Sequence, residues 1–270
     1  MTTTKRNAGF TLVELAIVLV IIGLLVGGVL VGQDLIKQAE IRSVVEQVES
    51  TNAAVNTFRG KFGGYPGDLL TSRAAQFGFT ARNGADARGD GDGTVEGWNG
   101  TAATANALGS ENGLFWRDLS QSDLIGAGFN TATDASAATL TAATLPNWLP
   151  QTKLRESTYM HVLSSQGRNF YFFDQISATN ATGVITSGGT GLTPLEAQAI
   201  DEKLDDGVPL TGSVLAANAL AATQPNYTLE TAAAPAAGVC VSNVLTPNTY
   251  NVGEDFAAIP ACGLVARASF

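Results

Sequence analysis

Gly9-Phe10-Thr11-Leu12-Val13-Glu14 opens an apolar run that continues to Val31, and between Phe10 and Val31 the only charge is Glu14. That is close to the ~20 apolar residues an α-helix needs to cross a bilayer. Residues 1–9 carry Lys5 and Arg6 and no acid. Basic residues are retained on the cytoplasmic side, so this start is expected inside and the bulk of the chain outside. A secretory signal has an apolar core of about 7–15 residues and a small-x-small cleavage site. Here the run is longer, and Gly32-Gln33-Asp34 behind it is not Ala-x-Ala.

Glu14 is out of place in such a run. A carboxylate at the centre of an isolated membrane helix costs at least ~2.5–3.5 kcal/mol on insertion scales. Glu14 sits about one turn inside the edge, where the cost is smaller but a partner is still favoured. Two readings stand at this point. One is an interfacial acid on a plain anchor helix. The other is a carboxylate held for a cation that another subunit brings.

Lys5-Arg6, then Gly9-Phe10-Thr11-Leu12-Val13-Glu14-Leu15, resembles the leader and processing site of the prepilins. That family comprises type IV pilins and the pseudopilins of type II secretion systems. The resemblance covers roughly Met1 to Arg59. It implies cleavage between Gly9 and Phe10 by a membrane-embedded prepilin peptidase, and N-methylation of Phe10. It also implies that Glu14 pairs with the new amino terminus at Phe10 of a neighbouring subunit. An acid and an amine are less unfavourable together in low dielectric than apart. The partners it implies are other copies and related pilins, the peptidase/methyltransferase, and an inner-membrane assembly platform.

The formal charge is −9, and removal of residues 1–9 would take away Lys5 and Arg6 as well. Phosphate binding is driven by clustered Lys and Arg, so nucleic acid is not an expected partner. The length of 270 residues suits one anchor plus one substantial domain or two small ones.

Beyond the apolar run the helix is expected to continue. Leu35, Ile36, Ala39, Ile41, Val44, Val45, Val48, Val55 and Phe58 recur at three- and four-residue spacing, with charges between them. No proline precedes Pro66, and Gly60 is the first expected stop, with Gly63-Gly64 the next. A helix over 10–59 would be ~75 Å long at 1.5 Å per residue. Its first half is apolar all round, which suits lipid or a filament core. Its second half has a stripe, which suits packing on a globular head. Many pilins carry a proline inside the membrane segment, whereas this chain has Gly23, Gly27, Gly28 and Gly32. Those glycines admit a local kink in a fibre or close helix packing through small residues.

Tyr65-Pro66-Gly67-Asp68 is turn chemistry. A Tyr-Pro step just after the long helix also recurs in pseudopilin-like proteins. The stretch Asn83 to Glu96, with Gly89-Asp90-Gly91-Asp92-Gly93, invites a calcium reading, because oxygen ligands at alternate positions and turning glycines suit Ca²⁺. The EF-hand register fails, since Arg88 would fall at the first position and Asn99 at the twelfth. An irregular site from Asp90, Asp92 and Glu96 stands against a solvated loop. No other cofactor is expected.

Ser110 to Ile125 reads as one or two short helices, Thr131–Thr144 as a surface loop, and Trp148 as a core plug. Residues 159–163 and 169–173 read as strands of a hairpin. His161, the only histidine, is expected to be structural. Thr193-Pro194-Leu195-Glu196 starts a helix with a capping box and proline in the first turn, stopped by Gly207 and Pro209. The acids Asp201, Glu202, Asp205 and Asp206 crowd its end, as a solvated face or as a site for a cation or basic neighbour. Cys240 and Cys262 are the only cysteines. Outside the cytoplasm such a pair is expected oxidised. Type IV pilins commonly carry a disulfide-bounded loop in the equivalent place; two buried free thiols are the alternative.

The resulting expectation is an α+β, pilin-like fold. A leader occupies 1–9, a long helix 10–59 with 10–31 in the membrane or filament core, and an extracytoplasmic head 60–270. The head would pack the amphipathic half-helix on a small antiparallel sheet with long loops. The expected role is that of a structural filament subunit, held single-pass in the inner membrane and then carried in a periplasmic or cell-surface filament. A secretion pseudopilin or minor pilin is the alternative within the family. A membrane-anchored extracellular enzyme or binding protein is the alternative outside it. No nucleophile, phosphate loop or metal-hydrolase motif points to catalysis.

Overall fold

Helix α1 spans Leu12–Phe62. The structure, a computed structural model, describes residues 11–84, 88–97, 107–126, 128–134, 139–155, 157–165, 167–181, 183, 185–189, 191–217, 240–242, 249–252, 260 and 262–270. The leader, Gly9 and Phe10 lie outside the described residues. The chain divides into two units, Met1–Glu40 and Ile41–Phe270.

In the first unit α1 passes Gly23, Gly27, Gly28 and Gly32 without interruption. Its apolar side chains from Leu12 to Ile36 are all exposed. In the second unit the same helix changes character. Ile41, Val44, Val48, Thr51, Ala54, Val55 and Phe58 are buried at three- and four-residue steps, which is one face of a 3.6-residue helix. The helix does not stop at Gly60. The Phe62 ring lies 4.6 Å from Phe58 and 4.9 Å from Phe79, and this packing draws the last turn past the glycine. Gly63, at φ 71°, then ends it.

After α1 come α2 (Thr71–Phe77), α3 (Glu111–Gln121), β1 (Thr158–Ser165), β2 (Arg168–Thr179), β3 (Ile185–Gly189), α4 (Pro194–Leu204), β4 (Val214–Ala217), β5 (Val241–Ser242), β6 (Thr249–Tyr250) and β7 (Gly263–Arg267). The main sheet has five strands and is antiparallel throughout. Its order is β1-β2-β7-β4, with β3 paired to the second half of the long β2. β5 and β6 form a separate ribbon. The fold is therefore α+β, a long apolar N-terminal helix with a small antiparallel sheet, short helices and loops.

Side chains alternate across the sheet, so its two faces can be read from the register. Met160, Val162, Tyr171, Phe173, Leu264 and Ala266 join the core that includes the buried stripe of α1. The Tyr171 hydroxyl donates to Asn52 Oδ1 at 3.0 Å, tying sheet to helix. The opposite face carries a smaller cluster of Leu163, Phe170, Phe172 and Val265. His161 is on that face, fully buried, with Nε2 3.0 Å from Asp174 Oδ2 and its ring stacked on Phe172.

α3 is one helix and packs its apolar side inward. Trp148 is buried against it: a side-chain carbon on Gly113 would come within 3.1 Å of the indole. Among its described residues the Thr131–Thr144 segment is mostly exposed, as expected of a surface loop, and is anchored at a few points. Ala132 and Leu140 are in the core, and Asp134 pairs with Arg88 at 3.1 Å. A second ion pair is wholly interior. Arg82 Nη2 reaches both oxygens of Asp118 at 2.7 and 2.9 Å, while Asp118 also accepts from Gly67 N at 2.7 Å. This pair ties the turn after α1 to α3.

Candidate functional site

Two places gather the polar chemistry that sequence reasoning singled out. The first is the start of α1. Thr11 N donates to Glu14 Oε2 at 2.8 Å, and so does the Thr11 hydroxyl, also at 2.8 Å. Glu14 N donates back to Thr11 Oγ1 at 3.3 Å. Leu15 N closes the first helical turn on Thr11 O at 3.3 Å. This reciprocal pattern is a capping box, with Thr11 as N-cap and Glu14 three residues on. It exists because Thr-x-x-Glu puts a short hydroxyl and a carboxylate on the orphan N–H groups of a helix start. A carboxylate in the first turn also complements the helix dipole. Behind it, α1 is long and apolar enough to cross a membrane. Thr11 and Glu14 stand at the Thr-x-x-Glu spacing of such a cap, a signal the sequence carries beside the charge of Glu14.

The second place is a carboxylate cluster around the glycine-rich loop. Carboxylate oxygens of Asp68, Asp90 and Glu111 lie within 4.8 Å of one another. Asp68 and Glu111 are buried and Asp90 partly so. The loop folds over the two buried acids with its backbone amides inward. Glu111 accepts from Gly89 N at 2.6 Å and Glu96 N at 3.0 Å. Asp68 accepts from Gly91 N at 2.7 Å and Gly93 N at 2.8 Å. The alternating glycines allow this. Gly89, Gly91 and Gly93 all have positive φ, and a side-chain carbon on Gly89 would meet Leu69 O at 2.8 Å.

The electrostatics of the cluster are unfavourable to charge. Burial pushes Glu111 up to about 9, with the neighbouring Asp68 charge adding to it. Burial pushes Asp68 up to about 7, although the amides of Gly93 and Gly91 pull the other way. The nearby guanidinium of Arg82 is committed to Asp118. Three oxygen donors so placed could hold a proton among them or a hard cation such as Ca²⁺.

Of the acids that the sequence suggested for calcium, Asp90 alone belongs to this group. Asp92 turns its carboxylate to Thr94 N and Thr94 Oγ1, both at 2.7 Å. Glu96 is drawn in by its backbone N–H rather than by its carboxylate. Asp68 and Glu111 were missed because they lie far from the loop in sequence. Their one signal was an acid at the end of a Pro-Gly turn and an acid at the first position of α3.

Cys240 and Cys262 form a disulfide, with Cα atoms 4.7 Å apart. The acids at the end of α4 brace the next segment. Asp201 accepts from the Tyr250 hydroxyl at 2.8 Å, and burial lifts it to about 6. Asp205 accepts from the amides of Ser213 and Val214, and Asp206 from Val208 N and the Thr211 hydroxyl. Asp201, Asp205 and Asp206 also lie within 4.8 Å of one another, the latter two exposed. Glu202 instead accepts from Gln198 Nε2 along the helix at 2.9 Å.

Residues 4–30 match the family profile described as the prokaryotic N-terminal methylation motif. This is the prepilin-type cleavage and methylation motif of type IV pilins and pseudopilins. No curated protein and no solved structure matches the chain.

Proposed function

We propose that the chain is a prepilin whose mature form, beginning at Phe10, is a subunit of a type IV pilus or pseudopilus-like filament. The observation that carries this reading is the coincidence of three features on one segment. The methylation motif covers residues 4–30, the large apolar side chains of α1 from Leu12 to Val31 are all exposed, and the one charge between Phe10 and Val31 is Glu14. A helix with that surface is stable in lipid or against copies of itself, not in water. Cleavage after Gly9 would create an amine at Phe10, and Glu14 of the adjoining copy would receive it. The pair gives register, since an unpaired carboxylate disfavours a misdocked subunit.

In this reading the chain works by assembly and not by catalysis. Its partners are copies of itself, related pilins, the peptidase/methyltransferase and an inner-membrane assembly platform. It waits in the inner membrane with its start in the cytoplasm and ends in a periplasmic or surface filament. A secretion pseudopilin or a minor subunit shares the motif and differs in the filament it joins, which fibre composition would reveal.

The test is N-terminal mass spectrometry on protein made together with its processing peptidase. The expected product begins with N-methyl-Phe10. A chain still beginning at Met1 or Thr2 would indicate a plain membrane anchor, as for an anchored enzyme or binding protein. One beginning beyond Val31 would indicate conventional secretion. Glu14→Leu is expected to leave cleavage largely intact and to abolish filaments seen by electron microscopy.

A further inference from the structure

The chain contains the same capping motif twice, and the two copies differ in what meets the second carboxylate oxygen. At α4, Glu196 Oε2 accepts from Thr193 N at 2.8 Å and Glu196 N donates to Thr193 Oγ1 at 3.2 Å. The other oxygen, Oε1, lies 3.5 Å from Arg155 Nη2. One oxygen closes the helix start and the other meets a guanidinium of the same chain. At α1, Oε2 of Glu14 closes the helix start on Thr11 in the same way. Its Oε1 has no partner among the described residues, and no Lys or Arg occurs between Arg6 and Lys37. Lys37 is about 34 Å further along the helix at 1.5 Å per residue. After loss of the leader, a cation for Oε1 has to come from another molecule or from a freed amine.

We propose that Thr11 is a positioning residue for Glu14. In each copy it holds the carboxylate through Oε2 and leaves Oε1 for the amino terminus of a neighbouring copy, so that docking completes the helix start without unmaking it. The inference rests on the assembly reading above. Its physical content is twofold. An acid that keeps two hydrogen bonds in a bilayer is less costly while the subunit waits there. A carboxylate already fixed by its own chain loses less rotamer freedom when a partner arrives. The Thr11 hydroxyl serves both ends, accepting from Glu14 N and donating to Oε2. Valine has the same shape and can do neither, while serine can do both.

The experiment compares the wild-type full chain with Thr11→Val, Thr11→Ser and Glu14→Gln. Amide hydrogen exchange is read in detergent micelles, and filament yield is read per amount of N-methylated mature chain. In Thr11→Val the Glu14 amide is expected to exchange about tenfold faster, the effect of one lost hydrogen bond. Its filament yield is expected to fall several-fold, and Thr11→Ser is expected to restore both. Glu14→Gln keeps an oxygen for Thr11 N, so the Thr11 amide stays slow while filaments are lost. Thr11→Val with a wild-type exchange rate at Glu14, or with wild-type filament yield, would overturn the proposal. If that variant is not processed, the exchange rates, read on unprocessed chain, decide alone. Glu14→Gln filaments at wild-type yield would instead remove the docking charge itself, a failure of the assembly reading visible without any Thr11 variant.

Discussion

The two halves of α1 share one backbone conformation and obey different rules. From Leu12 to Ile36 every large apolar side chain is exposed. From Ile41 to Phe58 most apolar positions are buried, with Val45 half-buried and Ala53 exposed, and most positions between them are charged or polar. Helix propensity alone does not separate the halves, because isoleucine, valine and alanine populate both. What differs is the period of polarity. The first half has none, so no orientation in water would hide it. The second has a stripe, which the sheet of its own unit covers. One helix thus carries a surface meant for other molecules and a surface spent on its own fold.

The largest test of that division is a pair of truncations. Phe58→Ala is expected to destabilise the Ile41–Phe270 unit by ~3–5 kcal/mol, because a fully buried ring leaves a cavity. Ile22→Ala, at an exposed position, is expected to change that unit's stability by no more than about 0.5 kcal/mol. Urea denaturation in detergent, followed by tryptophan fluorescence, measures both. A large loss from Ile22→Ala would mean that the first half also supports the fold.

Removing the disulfide comes next. Cys240→Ser with Cys262→Ser is expected to lower stability by ~3 kcal/mol in the chain-entropy picture, without altering membrane insertion. Reduction of the wild type should reproduce the loss, as read by the melting temperature with and without dithiothreitol.

The buried carboxylates give a pH test confined to the second unit. Asp68 and Glu111 are raised to about 7 and about 9 in the folded state. Between pH 4 and 9 the folded chain therefore holds protons that the unfolded chain has released. Their contribution is complete at low pH and lost as pH rises through those values. In chelator, the melting temperature is expected to fall from pH 5 to pH 9, and Glu111→Gln should flatten the upper part. Repeating the scan with calcium distinguishes a cluster that titrates from one that coordinates, since a bound cation keeps both acids ionised. The smallest expected effect is at α4, where Thr193→Ala should cost about 1 kcal/mol by loss of the cap.

Local chemistry was the most legible part of the sequence. Thr193-Pro194-Leu195-Glu196 specifies its own helix start, and the strands around Tyr159 and Phe170 declare their hairpin by composition. The α+β class followed from those elements and from the long apolar run. α2 was not legible, because Thr71–Phe77 is short and has no side-chain cap. The carboxylate cluster was legible only in part. Asp90 sits in a loop whose glycines announce it, while Asp68 and Glu111 reach the same point from other elements. Arg82 and Asp118 are the extreme case: two charges in the deep interior held by each other and by backbone groups of the Gly67 turn, and pairing of that kind leaves no mark on either sequence neighbourhood.

The position of β7 sets the order in which the molecule can be completed. Gly263–Arg267 is laid down between β2 and β4, and Ser269 N donates to Asn52 Oδ1 on α1. The sheet is left with a gap in its middle until residues 263–267 are delivered. Contacts that span almost the whole chain are slow to form. While synthesis is under way, the sheet of the second unit therefore stays open between β2 and β4. A chain truncated before β7 would keep an open seam between β2 and β4, exposed to proteases.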